Sequence, residues 1–406
     1  MNSNQWKNYK LDEIAEIIGG GTPSTTNPDF WGDEIPWVTP RDLAGTDERF
    51  ISRGERCITK KGLQNSSARL LPTGTVLLTT RAPIGYLRIA LNPICTNQGF
   101  KSLIPKADTA DNQFLFYLLK NNVEYLKSVG VGTTFAEISG STLRQIEFPF
   151  PPLPTQRRIA DILSALDDKI ELNRQTNATL EAIAQAIFKE WFVNFNFPGA
   201  TGEMNESELG PIPRGWRVGK LGDILEIKGG TTPDTQEEKF WNGQYHWATP
   251  KDLSNLSSPI LLTTERKITL EGVRQISSGI LPAGTLLLSS RAPIGYLAIT
   301  DMPVSINQGF IAINAQETSN LYILHWLKEN MDTVISRANG STFLEISKSN
   351  FREIELIIPD IQTANKFDIA ISPIFELIKL NEQKSSGLAS MRDKLLPKLM
   401  SGEIYV

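Results

Sequence analysis

Residues 81–87 read RAPIGYL, and residues 291–297 read RAPIGYL again, 210 positions later. Working outward from this pair, the same offset joins NQGF at 97–100 to NQGF at 307–310 and LPTGTVLL at 71–78 to LPAGTLLL at 281–288. It also joins WVTPRDL at 37–43 to WATPKDL at 247–253, Phe30-Trp31 to Phe240-Trp241, Gly19-Gly20 to Gly229-Gly230 and Trp6 to Trp216. Further on the offset falls to 208, where GTTFAEIS at 132–139 matches GSTFLEIS at 340–347. A repeat this long is no solenoid; it is two whole globular modules, each large enough for its own core. Within a module, short β-rich runs such as TVLLTT and TLLLSS alternate with Gly/Pro turns, and FLFYLLK (114–120) and LYILHWLK (321–328) read as single helices. That combination predicts a small α+β domain.

Each module runs into the same kind of segment. The prolines of PFPPLP (149–154) end the first globular part, because proline fixes φ and removes a donor. From Thr155 to about Phe192 there is neither proline nor glycine, and Ile159, Ile162, Leu163, Leu166, Ile170, Leu180, Ile183, Ile187 and Trp191 recur at spacings of three and four. This predicts a helix of about 37 residues, about 55 Å long, with one continuous apolar seam. In the second copy Phe367, Ile371, Ile374, Ile378, Leu388, Met391, Leu395 and Leu399 repeat the pattern from about Thr363 to Met400. Pro373 is expected to kink the helix or delay its start, and Pro397 to weaken its last turn. Asn173 and Asn381, 208 apart, fall on the two seams near mid-helix. With antiparallel packing the two amides meet and set register; otherwise each faces water at an imperfect seam position. The stretch from 193 to 215, rich in Gly, Pro and polar residues, reads as a linker back to the second module.

Composition excludes several functions. Of 406 residues 40% are hydrophobic and 21% charged, so the chain buries cores and is not disordered. No apolar run reaches the roughly 18 residues of a membrane span, and the N-terminus lacks the apolar region of a secretory signal. Cys57 and Cys95 are the only cysteines, which fits a reducing cytoplasm and gives no zinc site. His246 and His325 are the only histidines, so a His-rich metal centre is out of reach and Ser/His or Cys/His mechanisms are hard to assemble. No P-loop, no Gly-rich dinucleotide or S-adenosylmethionine turn and no amino-methyltransferase tetrapeptide is present. Pro233-Asp234 with Glu237-Glu238-Lys239 superficially fits a metal-dependent nuclease. The spacing is too short to place the acids on two adjacent strands, and the first copy has Pro23-Ser24 and Thr26-Asn27-Pro28 there instead. Glu137 and Glu345 read as structural, with Ser139 and Ser347 as caps of following helices. The expectation is a non-enzyme.

A duplicated module is what a DNA duplex rewards, since equivalent readers fit along one face. The formal charge of -4 argues against grip by bulk charge alone. Specificity is then expected where the copies diverge, in 44–70 and 254–280. Arg49, Arg53, Arg56, Lys60, Lys61, Gln64, Asn65 and Arg69 in the first segment, and Arg266, Lys267, Arg274 and Gln275 in the second, are side chains that hold phosphates or read base edges. Arg41 and Lys251 of the shared Trp-x-Thr-Pro block join them. Arg81 and Arg291 are either phosphate contacts common to both modules or partners of Asp42 and Asp252.

With these elements in place, the chain resembles the specificity subunits of Type I restriction-modification systems. The resemblance is carried by GGGTPST, FWG, IPWVTPRDL, LPTGTVLLTTRAPIG, NQGF, GTTFAEIS and PPLPTQRRIADILSALDDKIELN with LEAIAQAIFKEWF, and it covers nearly the full length. It implies two similar α+β target-recognition domains, at 1–152 and 213–360, joined by two long antiparallel helices at 153–196 and 361–400, with a linker at 197–212, in a pseudo-two-fold arrangement. Each domain would read half of a bipartite DNA site, the helices setting the spacer between them. Two modification (methyltransferase) subunits and ATP-dependent restriction subunits would be partners, carrying the S-adenosylmethionine, ATP and Mg that this chain does not hold. Arg157, Arg158, Lys169 and Arg174, on the helix face opposite the seam, would meet those partners. In the second copy Asp360-Ile361-Gln362-Thr363-Ala364-Asn365 replaces PPLPTQRR, so contacts there need not be identical. The alternative is a stand-alone DNA-binding or scaffolding protein with no modification partner.

Overall fold

The computed structural model describes residues 6–45, 48–132, 136–340 and 344–406. The triplets 133–135 and 341–343 inside the GTTFAEIS and GSTFLEIS motifs lie outside the described residues. The chain divides into two compact units: Met1–Glu171 with Ser386–Val406, and Leu172–Ser385.

In the first module a five-stranded sheet runs in the order Ala15–Gly19, Phe100–Pro105, Val76–Thr80, Ile84–Ala90, Phe50–Ile51. The outermost strand is parallel to its neighbour and the others pair antiparallel. A smaller sheet holds Trp31–Gly32, Arg56–Ile58, Ile35–Val38 and Cys95–Thr96. The second module repeats both. Its large sheet is Leu225–Gly229, Phe310–Ala315, Leu286–Ser290, Ile294–Thr300, Ile260–Leu261, and one longer strand, Trp241–Ala248, takes the place of two in the smaller sheet. Helices Asn112–Asn121 and Asn320–Glu329 carry the two buried aromatic runs and start on side-chain caps, Asp111 and Ser319. Ser139 and Ser347 cap the next short helices, as the motif suggests.

Each module is followed by a 40-residue helix, Leu153–Phe192 and Ile361–Met400, and these match end to end at the 208 offset. The kink or delayed start expected from Pro373 does not appear as an interruption, and Pro397 also lies inside the helix. Asp360 explains the start: its Oδ1 accepts from the backbone N–H groups of Gln362 and Thr363, satisfying donors that a helix leaves open. Phe367 and Ile371, fully buried on the turns around Pro373, then offset the hydrogen bond that the proline cannot make.

The seam needs correcting. Ile159 and Leu163 are buried as expected, but Ile162, Ile183 and Met391 are exposed, Met391 to 52%. The helices do not bury one stripe against each other alone; their ends enter the cores of the modules. In the first unit Ile159, Ala160, Leu163, Leu396, Leu399 and Met400 belong to one cluster with Leu78, Phe114 and Leu118. In the second, Ala184, Phe188, Phe192, Phe367 and Ile371 join Leu288, Tyr322 and Ile323. Phe188 contacts Phe192, Tyr322, His325 and Phe367 ring to ring.

Within the second unit the mid-helix amides are buried and the helices run antiparallel there. Asn173 Nδ2 donates to Ser385 Oγ at 3.0 Å, and Asn381 Nδ2 donates to Asn177 Oδ1 at 2.9 Å. The repeat exchanges these two bonds, since Asn173 is the mate of Asn381 and Asn177 that of Ser385. The side-chain amides of Asn173 and Asn381 do not bond each other; each bonds a polar residue one turn away, and Asn173 Nδ2 also lies 3.4 Å from the Asn381 backbone carbonyl. Residues 193–215, read as a linker, are also partly built in: Met204–Asn205 pairs with Ile212–Pro213, and Phe195 and Phe197 pack on Trp216.

His325 donates through Nδ1–H to Gln185 Oε1 at 2.8 Å and lies over Phe188. Burial, and then the Lys328 charge, push its imidazole down from 6.5 to about 3. It is neutral in the folded chain, so between those values the unfolded chain binds a proton that the folded one does not. Stability from this group is complete above about pH 6.5 and is lost as pH falls toward 3. Urea melts at pH 5 and 7 check this: His325→Gln loses less between the two than the parent does. Truncation separates buried from exposed seam positions. Phe188→Ala is expected to cost roughly 3–5 kcal/mol, Ile183→Ala on the same helix no more than about 0.5 kcal/mol, read by denaturant unfolding.

Candidate nucleic-acid interface

The smaller sheet of each module carries the same construction. Trp31 and Trp37 meet edge to face at 5.0 Å between ring centroids, and Trp241 and Trp247 do so at 5.1 Å. Their indole N–H groups hold the Gly-rich loop: Trp37 donates to Gly21 O and Trp31 to Ser24 O, Trp247 to Thr231 O and Trp241 to Asp234 O. The loop runs so close to the neighbouring strand that a Cβ on Gly20 would lie 2.0 Å from Asn97 O, and one on Gly230 1.8 Å from Ile306 O. Thr22 Oγ1 then donates to Gln98 Oε1, and Thr232 Oγ1 to Gln308 Oε1. On the outer face of each Trp pair lies an arginine. The Arg56 guanidinium stands 3.4 Å from the Trp31 ring centroid and that of Arg266 3.5 Å from Trp241.

Asp42 and Asp252 build this arrangement rather than pair with arginine. Asp42 accepts from Thr39 N and Oγ1 and from Glu55 N; Asp252 accepts from Thr249 N and Oγ1 and from Glu265 N. The carboxylate thus pins the residue just before Arg56 or Arg266. This corrects the reading of Arg81 and Arg291 as partners of these aspartates. They face Glu137 and Glu345 instead, at 3.9 and 3.7 Å, too far for a tight hydrogen bond.

The remaining candidates fall into groups. Arg49 is corrected outright. It is buried, pairs with Asp168 and donates to Tyr117 Oη at 3.0 Å, so it does not face DNA. Tyr117 donates to Asp167 Oδ2 at 2.6 Å, and Arg392 donates to Asp167 Oδ1 at 2.6 Å. This network ties the first module to segments of both long helices within its unit, and buried charges of this kind stand only when paired. Sequence reasoning missed Tyr117, Asp167 and Arg392, whose partners are distant in sequence. Arg53 pairs with Asp33, Lys61 with Asp29 and Lys251 with Glu265, all exposed. The bond to Lys61 holds Asp29 below the usual carboxylate range, and the bond to Glu265 holds Lys251 above the usual lysine range. Such exposed pairs are screened by solvent and contribute little to stability. Arg41, Lys60, Gln64, Arg69, Lys267, Arg274 and Gln275 are exposed, as are Arg157, Arg158, Lys169 and Arg174 on the first long helix. Among the described residues there is no cluster of His, Cys, Asp and Glu able to hold a metal, and no helix long and apolar enough to cross a membrane.

A repeated module, each copy followed by a long helix and bearing the same arginine-on-tryptophan platform, defines a two-headed recognition protein. Comparison with known proteins identifies it further. The family model of the Type I restriction modification DNA specificity domain matches residues 3–182 and 213–389. The MjaIX specificity subunit of a type I restriction enzyme from Methanocaldococcus jannaschii is 36% identical, covering 99% of this chain and 94% of that one. The HindI specificity subunit of Haemophilus influenzae is 26% identical over 98% and 99%. The crystal structure of the type I restriction-modification S subunit from M. genitalium has a TM-score of 0.59 at 17% identity, covering 98% and 97%, and shares the fold. The chain belongs to the type I restriction-modification specificity family: it is the non-catalytic subunit that recognises DNA sequence within the restriction-modification complex.

Removing the Tyr117 hydroxyl leaves Arg49 and Asp167 each short of a partner. Tyr117→Phe is expected to destabilise the chain by roughly 1–3 kcal/mol. Denaturant unfolding checks this, with Arg53→Ala, whose ion pair is exposed, near neutral.

Proposed function

We propose that each module reads one half of a bipartite DNA site, that the helix pair sets the spacer, and that the helices dock two modification subunits. The observation that carries this reading is the duplication itself. Two modules of one topology are each followed by a 40-residue helix, and the two helices begin and end at the same 208 offset. Duplex DNA presents equivalent surfaces one turn or several turns apart, and a module pair on a fixed mount reads two separated elements. The modules differ in 44–70 and 254–280, so the halves need not be the same sequence. The exposed polar and basic residues in and beside these segments are the specificity surface: Arg41, Arg53, Lys60, Lys61, Gln64 and Arg69 in the first module, Lys251, Lys267, Arg274 and Gln275 in the second. Arg81 and Arg291, loosely held by Glu137 and Glu345, serve as backbone contacts in both. Asn173 and Asn381 with Asn177 and Ser385 hold the helix register. Arg157, Arg158, Lys169 and Arg174 face the modification subunits. S-adenosylmethionine sits on those subunits, and ATP and Mg on the restriction subunits, which complete the complex in the cytoplasm.

The test maps methylated adenines in cells carrying this chain with its modification partner. Exchanging residues 1–150 for those of another specificity subunit is expected to change one half of the methylated site and leave the other. If both halves change, or neither does, the modular reading fails. Adding one full turn to the first long helix is expected to lengthen the spacer and leave the half-site bases as they were.

A further inference from the structure

Arg56 and Arg266 differ from the other exposed arginines of the chain. Arg53, Arg214 and Arg217 each pair with a carboxylate. Arg41, Arg69 and Arg274 are exposed with no ring beneath them among the described residues. Arg56 and Arg266 alone combine a stacked face with no carboxylate in salt-bridge range among the described residues. Stacking occupies the π-face of the guanidinium and leaves its N–H edge open, with the side-chain entropy of binding already spent. The strand behind is fixed as well, through Asp42 to Glu55 N and Asp252 to Glu265 N, both at 2.7 Å. An open guanidinium edge is a bidentate match for two phosphate oxygens.

The two copies choose between phosphate and base. Around the platform the modules have diverged: Lys60-Lys61 follows the first arginine strand, Leu270-Glu271 the second, and Cys57 stands where the second copy has Lys267. The platform is the same in both, down to the Trp–Trp geometry and the loop it anchors. A contact independent of the target bases fits a feature that two readers of different half-sites share, and every nucleotide carries a phosphate. Resting on the reading of each module as a half-site reader, we propose that Arg56 and Arg266 each clamp one DNA phosphate, giving both modules the same sequence-independent footing.

The experiment uses the full chain assembled with its modification subunits. It measures fluorescence anisotropy on a duplex carrying the methylated site and on an unrelated duplex, between about 50 and 200 mM salt. Arg56→Ala and Arg266→Ala are each expected to weaken binding to both duplexes by the same factor, about tenfold. Each is expected to lower the log–log salt slope by about 0.9, and the double variant by about twice that. Arg56→Lys keeps the charge without the planar fork, so it restores the slope and only part of the affinity. Melting curves unchanged by these exposed substitutions tie the effect to binding. A loss confined to the methylated-site duplex, with relaxed base preference at one position, makes the arginine a base reader and overturns the proposal. Unchanged affinity and slope overturn it too. If instead the parent complex does not discriminate between the duplexes, it is the half-site reading that fails.

Discussion

The structure depends on cores that the modules cannot close by themselves. In the first unit the sheet and its helix leave an apolar face that is covered by the start of one long helix, through Ile159, Ala160 and Leu163, and by the end of the other, through Leu396, Leu399 and Met400. In the second unit the roles are exchanged, with Ala184, Phe188 and Phe192 from the end of the first helix and Phe367 and Ile371 from the start of the second. Burying a large apolar side chain is worth about 1.5–3 kcal/mol, so several such residues per helix end outweigh an interior proline. The segments that complete each module come from opposite ends of the two helices. Within each unit the helix ends are thus part of the core rather than an external attachment.

This constraint explains what the sequence disclosed and where it misled. The duplication, the α+β character, the two aromatic helices and the two long helices were all legible, because identity at a near-constant offset, a three-and-four apolar spacing and, in the first long helix, the absence of Gly and Pro can be read from sequence alone. The seam was legible only in part. A three-and-four spacing locates a helix, but these helices meet different neighbours along their length. Ile159 and Leu163 point into a module, whereas Ile162 and Ile183 are left outside. Phe188 and Ala184 carry the packing that Ile183 was expected to carry. At mid-helix the buried positions are amides and a serine, and Asn177 and Ser385 could have been found by asking which polar residues the 208 offset brings face to face. Arg49 shows the opposite difficulty. A basic residue in a divergent basic segment looks like a DNA contact, and only the fold reveals Asp168 and Tyr117 waiting for it.

The two modules have diverged in how they are mounted as well as in the segments 44–70 and 254–280. Tyr117 of the first module lies in a charged network with Asp167, Arg49 and Arg392. Its mate at the 208 offset, His325, sits neutral among Phe188, Phe367 and Gln185. One mounting is held by paired charges, the other by aromatic packing, and each is internally satisfied. A buried ion pair requires all its partners, whereas an aromatic cluster tolerates change of shape more gradually, so the first module's mounting is the less forgiving of substitution.

The exposed chemistry then accounts for an acidic chain that recognises DNA. Several surface lysines and arginines are already engaged by carboxylates in weak, solvent-screened pairs: Lys61 with Asp29, Arg53 with Asp33, Lys251 with Glu265. Such a surface carries little net positive field, and its cations are released to a stronger acceptor only where the fit is good. Bulk attraction is thereby kept low, which favours a reader that must leave wrong sequences quickly. Affinity then falls to a few cations fixed in advance, and the arginine on its tryptophan, with its strand held by the aspartate behind it, is such an arrangement, kept in both modules.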